Sequence, residues 1–495
     1  MAGLQKTNGV RKRSRSAARS AGARAAAGNG TVRAWQDDPL GYAPPPLDRP
    51  TPKLAIAPLK LRIKGNKIPA GAYAPGTAQF RYWAAAEALR RGADYWAPLL
   101  GVRRWQPGAV LRVGLDEGDD LNAYYDRSEL AFFHSSAGGK TVYSGESPDV
   151  VCHELGHACL DAHRPELWDA PFIEVGSFHE SFGDMSAILS ALQLGTVRGS
   201  ALAAVKRHRA SELSRLAEQL GWAIRQSAPN AVDPDCLRNA YNPFQYVNPN
   251  TLPDSAPASR LCAEVHSFSR VFTGAFYDAL SGMLKIRAAR PTANDLASVA
   301  ADLGQLLVDA TGAAPVVPGY FAQVAAHLVD ADAARFAGKY RKALVKAFVS
   351  RKIIPQTAVD GVVAVTGATR REAARFAAAR MVRPETRVVT FQFSGKDFDL
   401  ADRPLHVDAP IEQKPAHTLS VAIGQPQAHE DDGAAHASAR RFVEVLFAHH
   451  RVAVEPEHRA RPASPEAPRH RHTHAVVAKG EALKLVRRRF DCGRG

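Results

Sequence analysis

Hydrophobic positions follow a helical period from about residue 80 onward. In FRYWAAAEALRRGADYWAPLL (80–100), apolar residues from Tyr82 to Trp96 recur every three or four positions and share one face. VLRVGL (110–115) is typical of a strand, and the alternation in NAYYDRSELAFFH (122–134) predicts a further strand or a hairpin. Folded structure is therefore expected to begin near residue 80.

Helical patterns dominate the middle of the chain, and a loop-rich segment at 227–260 interrupts them. Helices are predicted over 148–163, 176–194, 263–284, 292–311, 316–330, 335–352 and 368–380. Beyond residue 355 the pattern changes to short strand-like runs, RVVTFQF (387–393) and HTLSVAI (417–423), and a His- and Pro-rich linker follows at 455–474. This change predicts a domain boundary near residue 355.

A chain of 495 residues is too long for one compact core, so more than one structural unit is expected. We predict a basic, Pro-rich tail over 1–70 that does not pack, a folded domain over 71–355, and an accessory C-terminal region over 356–495. The accessory region is expected to hold a small α/β or β module. The predicted fold class is α+β.

Charge is concentrated at the two ends of the chain. The formal net charge is +15, of which residues 1–33 carry eight basic and no acidic residues. Residues 451–495 carry eleven basic and five acidic residues, so only about +1 remains for the middle. A nucleic-acid surface is therefore not indicated for the main body, and we expect the charged ends to be solvated tails.

The cysteines and the lengths of the apolar runs indicate the cellular compartment. The five cysteines are sparse and odd in number, which is typical of a reducing compartment rather than of a disulfide framework. No run approaches the roughly 18 apolar residues of a membrane helix, and the N-terminus lacks the apolar core of a signal peptide. We expect a cytoplasmic protein, or one exported by a route without a signal peptide.

The most specific chemical signal is the segment His153-Glu154-Leu155-Gly156-His157. It lies in the helix predicted to open with Pro148 and Asp149. Because residues four apart share a helix face, both imidazoles can bind one metal ion, and Glu154 lies beside the open position. This pattern predicts one zinc ion per chain, with Glu154 as the general base.

Two residues compete for the third ligand position. His163 has the metzincin spacing, but the turn that this arrangement requires falls on Leu160, where a positive φ is sterically unfavourable. Glu180, in GSFHESFGD, lies on a second predicted helix, and Asp184 follows on the same face to accept the ring proton of a ligand histidine. Turn chemistry favours Glu180, with His163 as the alternative. His179 points about 100° away from Glu180 and is expected to serve packing or surface.

At these motifs the sequence resembles the thermolysin-like metallopeptidases, gluzincins that combine HExxH with a downstream ExxxD. NAYYDRSEL (122–130) is similar to the family's edge strand, LRNAYNP (237–243) to its arginine segment, and HSFSRVFTGAFY (266–277) to the helix that begins with a catalytic histidine. The resemblance covers roughly residues 78–355. It implies an N-terminal mixed lobe with an edge strand, a C-terminal helical lobe and the active-site helix between them.

The resemblance also implies an activity and the roles of further residues. The activity is zinc-dependent hydrolysis of peptide bonds in peptide or protein substrates, through a water that zinc activates. Arg238 and His266 would stabilise the oxyanion, while Asn122 and Ala123 would hold the substrate backbone as an added strand. Trp168 stands where the family has an oxyanion-assisting tyrosine.

Besides Trp168, the sequence departs from the family pattern in two places. Leu261 replaces the carboxylate that normally supports the catalytic histidine, and Glu264 is its candidate substitute. Asp149 matches one carboxylate of the family's principal calcium site, but Ala191 and the segment TVRGSALAAVKRHR supply no further acidic ligands. Calcium is therefore not expected there. An inactive metallopeptidase-like binding or effector protein is the second alternative to the peptidase.

Overall fold

The computed structural model describes residues 30–40, 45–356, 381–413, 432–460 and 471–492. It is 46% helical and 19% strand, so the α+β prediction is confirmed at that level. The thermolysin-like arrangement of lobes stays a prediction. The predicted helix at 368–380 and strand at 417–423 lie outside the described residues.

Seven helices in the described residues match predicted ones, whereas Gly195–Arg207, Glu218–Arg225 and Asp432–Ala448 were not predicted. The helices are α1 (Ala78–Leu100), α2 (Pro148–His163), α3 (Ile173–Ala191), α4 (Gly195–Arg207), α5 (Glu218–Arg225), α6 (Val265–Arg287), α7 (Ala293–Ala313), α8 (Tyr320–Phe336), α9 (Arg341–Ser350) and α10 (Asp432–Ala448). The strands are β1 (Thr31–Ala34), β2 (Leu47–Pro50), β3 (Lys60–Ile63), β4 (Val110–Gly114), β5 (Ala123–Tyr125), β6 (Glu129–Phe132), β7 (His134–Ala137), β8 (Lys140–Tyr143), β9 (Arg215–Leu216), β10 (Arg238–Asn239), β11 (Glu385–Ser394), β12 (Pro404–Gln413), β13 (Val452–Val454), β14 (His474–Lys479), β15 (Ala482–Arg487) and β16 (Phe490–Asp491).

The N-terminal sheet has the strand order β16-β5-β6-β4-β3. Strands β3, β4 and β6 run parallel, whereas β5 is antiparallel to β6, as the predicted hairpin requires. Strand β16, from the far end of the chain, pairs antiparallel with β5. The family resemblance implies that β5 is an edge strand, but the C-terminal segment covers that edge.

Helices α2, α3 and α6 pack together and carry the candidate site. Ser147 caps α2 by accepting from the Val150 amide, and the helix continues without a break to His163. Two glycines allow the close approach of α2 and α3. A Cβ on Gly183 would lie 2.6 Å from the His153 ring, and one on Gly156 would lie 2.5 Å from the Ser186 hydroxyl. Any larger residue would push the two helices apart.

A second sheet, of order β11-β12-β15-β14-β13, forms beyond residue 381 together with α10. Its side chains belong to the same hydrophobic core as the helices. A fully buried ion pair joins the two parts, since Arg164 Nη2 lies 2.6 Å from Glu412 Oε2. The boundary predicted near residue 355 stays a prediction, but the regions on its two sides are packed against each other.

The predicted unpacked tail over 1–70 is wrong for the part that the structure describes. β1 pairs with β2, and β3 joins the N-terminal sheet. Val32, Ala34 and Leu61 are buried, because alternate positions of these short strands face the core. Proline density did not prevent pairing, since short edge strands tolerate it. Residues 1–29 and 41–44 lie outside the described residues.

Two further observations concern cysteines and membrane helices. All five cysteines are free and buried, in agreement with the expectation of no disulfide framework. In the described part of the chain, no single helix is long and apolar enough to cross a membrane. Helices α3 and α4 pass that test only as a pair, and they are bent by 114° at the break between them.

Candidate metal centre

Three side chains from α2 and α3 converge at the predicted centre. His153 Nε2 lies 3.3 Å from Glu180 Oε2, and His157 Nε2 lies 3.7 Å from Glu180 Oε1. Bonds of about 2.1 Å in a tetrahedron give ligand–ligand separations of roughly 3.4 Å, close to both distances. Of the two candidates for the third ligand, Glu180 is the one that lies beside both histidines, as turn chemistry favoured.

The hydrogen bonding of these atoms also fits a metal ion. His153 Nε2, His157 Nε2 and Glu180 Oε2 are buried and have no hydrogen-bond partner. Orphaned polar atoms cost free energy in a protein interior unless something binds them. Two imidazoles and one carboxylate form a donor set typical of catalytic zinc, so these residues fit the predicted ion.

Asp184 holds the first ligand in place, one turn after Glu180. Its Oδ1 lies 3.0 Å from His153 Nδ1, so the ring donates there and directs Nε2 toward the centre. Arg238, on β10, pairs with Asp184 through Nη2 at 2.9 Å and through Nε at 3.2 Å. Burial opposes ionisation, but Arg238 and His153 outweigh it and lower the pKa of Asp184 to about 2.

His179 contacts His157, the second candidate ligand, and sequence reasoning missed this contact. Its ring is fully buried, and its Nδ1 lies 3.3 Å from His157 Nδ1. The expectation that His179 serves packing is correct but incomplete. His179 and Glu180 point about 100° apart around α3, yet both contact histidines on α2. His179 is therefore part of the site.

His266 stands at the start of α6 and faces the same centre. Its Nε2 lies 3.3 Å from Glu180 Oε2, and its Nδ1 lies 2.6 Å from Glu264 Oε1. Glu264 therefore takes the supporting place that Leu261 cannot fill. Burial alone would lower the pKa of His266, but Glu180 and Glu264 outweigh it and raise the pKa to about 9.

His163 does not reach the metal centre. It is the last residue of α2, and its Nε2 lies 3.1 Å from the carbonyl oxygen of Val308 on α7. Leu160 remains helical, so the chain reversal that would return His163 to the ligands does not occur. Burial lowers the pKa of His163 to about 4, which keeps its ring neutral.

Glu154 lies beside the two ligand histidines and is completely buried. Burial raises its pKa to about 8, against the opposing effect of His153. Its Oε2 has no hydrogen-bond partner, whereas its Oε1 lies 2.7 Å from the thiol of Cys492. The candidate base therefore contacts the C-terminal segment, which no sequence motif indicated.

The predicted substrate-binding residues contact that same segment. Asn122 Nδ2 lies 3.5 Å from Asp491 Oδ2, and the Ala123 carbonyl accepts from the Cys492 amide at 2.9 Å. Trp168 is buried and packs edge to face on Phe490, with ring centroids 5.4 Å apart. Its predicted role as an oxyanion donor stays a prediction.

A second cluster of buried carboxylates lies around Asp149. The carboxylates of Asp37, Asp149 and Glu218 approach within 4.8 Å of one another, and Asp38 lies beside them. Asp149 is the residue of this cluster that matches the family's principal calcium site. That calcium is absent from that site stays a prediction. Asp37 and Glu218 come from segments whose folding against α2 the sequence did not reveal.

No protein-family model matches the chain, and comparison with curated proteins gives no match. The argument for function therefore depends on the geometry of the site.

Proposed function

We propose that the protein is a zinc-dependent endopeptidase. The observation that carries this proposal is the convergence of His153, His157 and Glu180, with orphaned donor atoms, beside the buried carboxylate of Glu154. A zinc ion held there would supply Lewis-acid polarisation of the scissile carbonyl and of the attacking water.

Glu154 performs the proton transfers in this proposal. Its carboxylate accepts a proton from the attacking water and returns it to the leaving nitrogen. Burial raises the pKa of this carboxyl, which makes its ionised form a stronger base than an exposed carboxylate.

His266 and Arg238 stabilise the negative charge that develops on the substrate oxygen. Glu264, 2.6 Å from Nδ1, favours the protonated form of His266. Arg238 uses Nε and Nη2 to hold Asp184, and Nη1 is the donor that we assign to the substrate carbonyl. Fixed hydrogen-bond donors of this kind stabilise a developing charge most strongly in a buried site.

The substrate backbone binds along β5 as an added antiparallel strand. Asn122 and Ala123 supply the polar contacts, and the Trp168 ring borders the site on one side. The substrate is thus a peptide or an extended segment of a protein. Apolar side chains after the cleaved bond are the preference that the family resemblance suggests.

The test compares the full chain with its Glu154→Gln variant. Both should bind about one zinc per chain, because Glu154 is not a ligand in the proposal. Hydrolysis of a quenched peptide library should fall by at least about 100-fold in the variant, and a chelator should abolish it in the parent. β16 covers β5, and the next residue, Cys492, contacts Glu154. The substitution is therefore also made in a Cys492→Ser background, which changes that contact.

Ligand variants provide the matched control. Glu180→Ala should lose zinc, whereas His163→Ala should retain it, because His163 contacts Val308 instead. Zinc loss in the second variant alone would support the metzincin alternative. Undiminished hydrolysis by Glu154→Gln in the Cys492→Ser background would reject the mechanism.

A further inference from the structure

The C-terminal segment lies in the groove where the proposed substrate would bind. β16 adds to β5 with Phe490 opposite Tyr125 and Asp491 opposite Tyr124, and the Cys492 amide continues the pairing to Ala123. This is the antiparallel strand addition by which an extended peptide is recognised. The occupant of the groove is thus a segment of the same chain.

Polar contacts place the segment against the catalytic residues. The carbonyl oxygen of Asp491 accepts from His266 Nε2 at 2.6 Å, which uses the donor that we assign to the substrate oxyanion. The carboxylate of Asp491 pairs with Arg451 at 3.0 Å and contacts Asn122. Asp491 is therefore held as a bound peptide residue would be.

Phe490 fills the apolar space beside the ligands. Its ring stacks on His179 with centroids 3.9 Å apart and on His157 at 5.0 Å. The Arg487 guanidinium lies 4.1 Å from the centroid of the same ring. The side chain is 2% exposed, so the segment docks by burying an aromatic anchor as well as by backbone pairing.

Cys492 brings a soft ligand close to one of the candidate ligand histidines and to the candidate base. Its Sγ lies 2.7 Å from Glu154 Oε1 and within 4.8 Å of a His153 ring nitrogen. A thiolate is a strong ligand for zinc. A zinc ion with four protein ligands has no open position for water or substrate. The Nε2 atoms of His153 and His157 have no hydrogen-bond partner, so both are available to bind an ion together with this sulfur.

We propose that Cys492 is the fourth zinc ligand and that residues 490–492 hold the enzyme in a latent state. On binding, the thiol proton passes to Glu154 Oε1, and the sulfur lone pair forms the bond to zinc. The site then has no open position for water, and its base is protonated. This inference rests on the proposed function, since latency has meaning only for an active peptidase.

Cobalt substitution tests the ligand without an activity assay. The full chain loaded with Co²⁺ should show thiolate-to-cobalt charge-transfer absorption in the near ultraviolet, and Cys492→Ser should lack it. Cys262→Ala is the matched control, a buried free cysteine whose loss should leave the band unchanged. A wild-type chain that binds one cobalt without this band would overturn the proposal.

Zinc X-ray absorption of the unmodified chain gives a second measurement that needs no variant. The fit should require one sulfur and otherwise nitrogen and oxygen ligands. In parallel, Cys492→Ser should hydrolyse a quenched peptide about tenfold faster or more, because apparent substrate affinity scales with the fraction of open grooves.

The outcomes separate this proposal from the proposed function. Sulfur ligation without hydrolysis by either chain would retain the ligand but reject both the peptidase and its latency. Hydrolysis by the wild-type chain as fast as by Cys492→Ser, without sulfur ligation, would retain the peptidase and reject latency. A chain that binds neither zinc nor cobalt would overturn both.

Discussion

Asp184 is the residue on which the geometry of the centre depends most. One carboxylate orients His153 at 3.0 Å and anchors Arg238 at 2.9 Å, so it connects the proposed metal ligand with the proposed oxyanion donor. Such outer partners fix the orientation of a ligand ring and raise its basicity.

Replacing Asp184 with Asn should lower zinc affinity by about 10–100-fold, because the amide cannot support the His153 ring proton as a carboxylate does. Competition against a chromogenic chelator measures the change. Asp278→Asn is the control, since that carboxylate pairs with Arg351 on another face of α6. Equal affinities in the wild type and Asp184→Asn would contradict the assigned support role.

At the level of single residues, the sequence predicts which side chains share a helix face when they lie within one turn of each other. His153 and His157 share a face because the helix period places them there, and Asp184 follows Glu180 by the same rule. His179 and Cys492 could not be found in this way. The first depends on the angle between α2 and α3, and the second on contact between residues 338 positions apart.

Helices and short strands differ in how much of their structure the sequence determines. Helix α2 has the predicted bounds of 148–163 because Ser147, Pro148 and Asp149 form a strong N-terminal signal. Strand β16 has two paired residues and no period that a sequence pattern could show. Its position follows from pairing with β5 and from the contacts of the Phe490 ring with His179 and His157.

Phe490→Ala should therefore loosen β16. Removing a buried aromatic side chain costs about 3–5 kcal/mol, and here that cost falls on the docking of the segment. Hydrogen exchange measured by mass spectrometry should accelerate at residues 123–125 and 490–492. Phe393→Ala, a buried change in the second sheet, is the matched control. Unchanged exchange at β5 would show that Phe490 does not anchor the strand.

In the molecule as a whole, distant parts of the chain meet at a cluster of buried carboxyl groups as well as in the hydrophobic core. Asp37 and Asp38 from the N-terminal segment, Asp149 at the start of α2 and Glu218 at the start of α5 meet in one cluster. Burial, followed by mutual repulsion, raises the pKa of Glu218 to about 10 and that of Asp37 to about 7. Burial also raises the pKa of Asp38 to about 6.

Stability should therefore fall as pH rises. In the unfolded chain these carboxyls lose their protons near pH 4, whereas the folded chain retains them to higher pH. The folded state then binds more protons between about pH 4 and 10, so the free energy of unfolding decreases across that window. Melting temperatures in calcium-free buffer measure the slope.

Glu218→Gln should flatten this dependence, because the amide carries no charge to bury. Glu455→Gln, at an exposed position, should leave the slope as it is in the parent. A slope that Glu218→Gln does not alter would place the pH sensitivity elsewhere in the protein.

The overall class was predictable and the assembly of its parts was not. Composition and periodicity predict an α+β chain, but they do not show that Arg164 pairs with Glu412. That contact joins residues 248 positions apart, and only packing of the second sheet brings them together. For the same reason, the strands of residues 30–63 looked like an unpacked tail.

Only Arg488 and Arg489 separate β15 from β16, and Arg488 is exposed. A strand tethered so closely acts at an effective concentration on the order of millimolar. A free peptide at micromolar concentration is then outnumbered roughly a thousandfold. If the segment keeps the enzyme latent as proposed, severing that short link would remove this roughly thousandfold advantage.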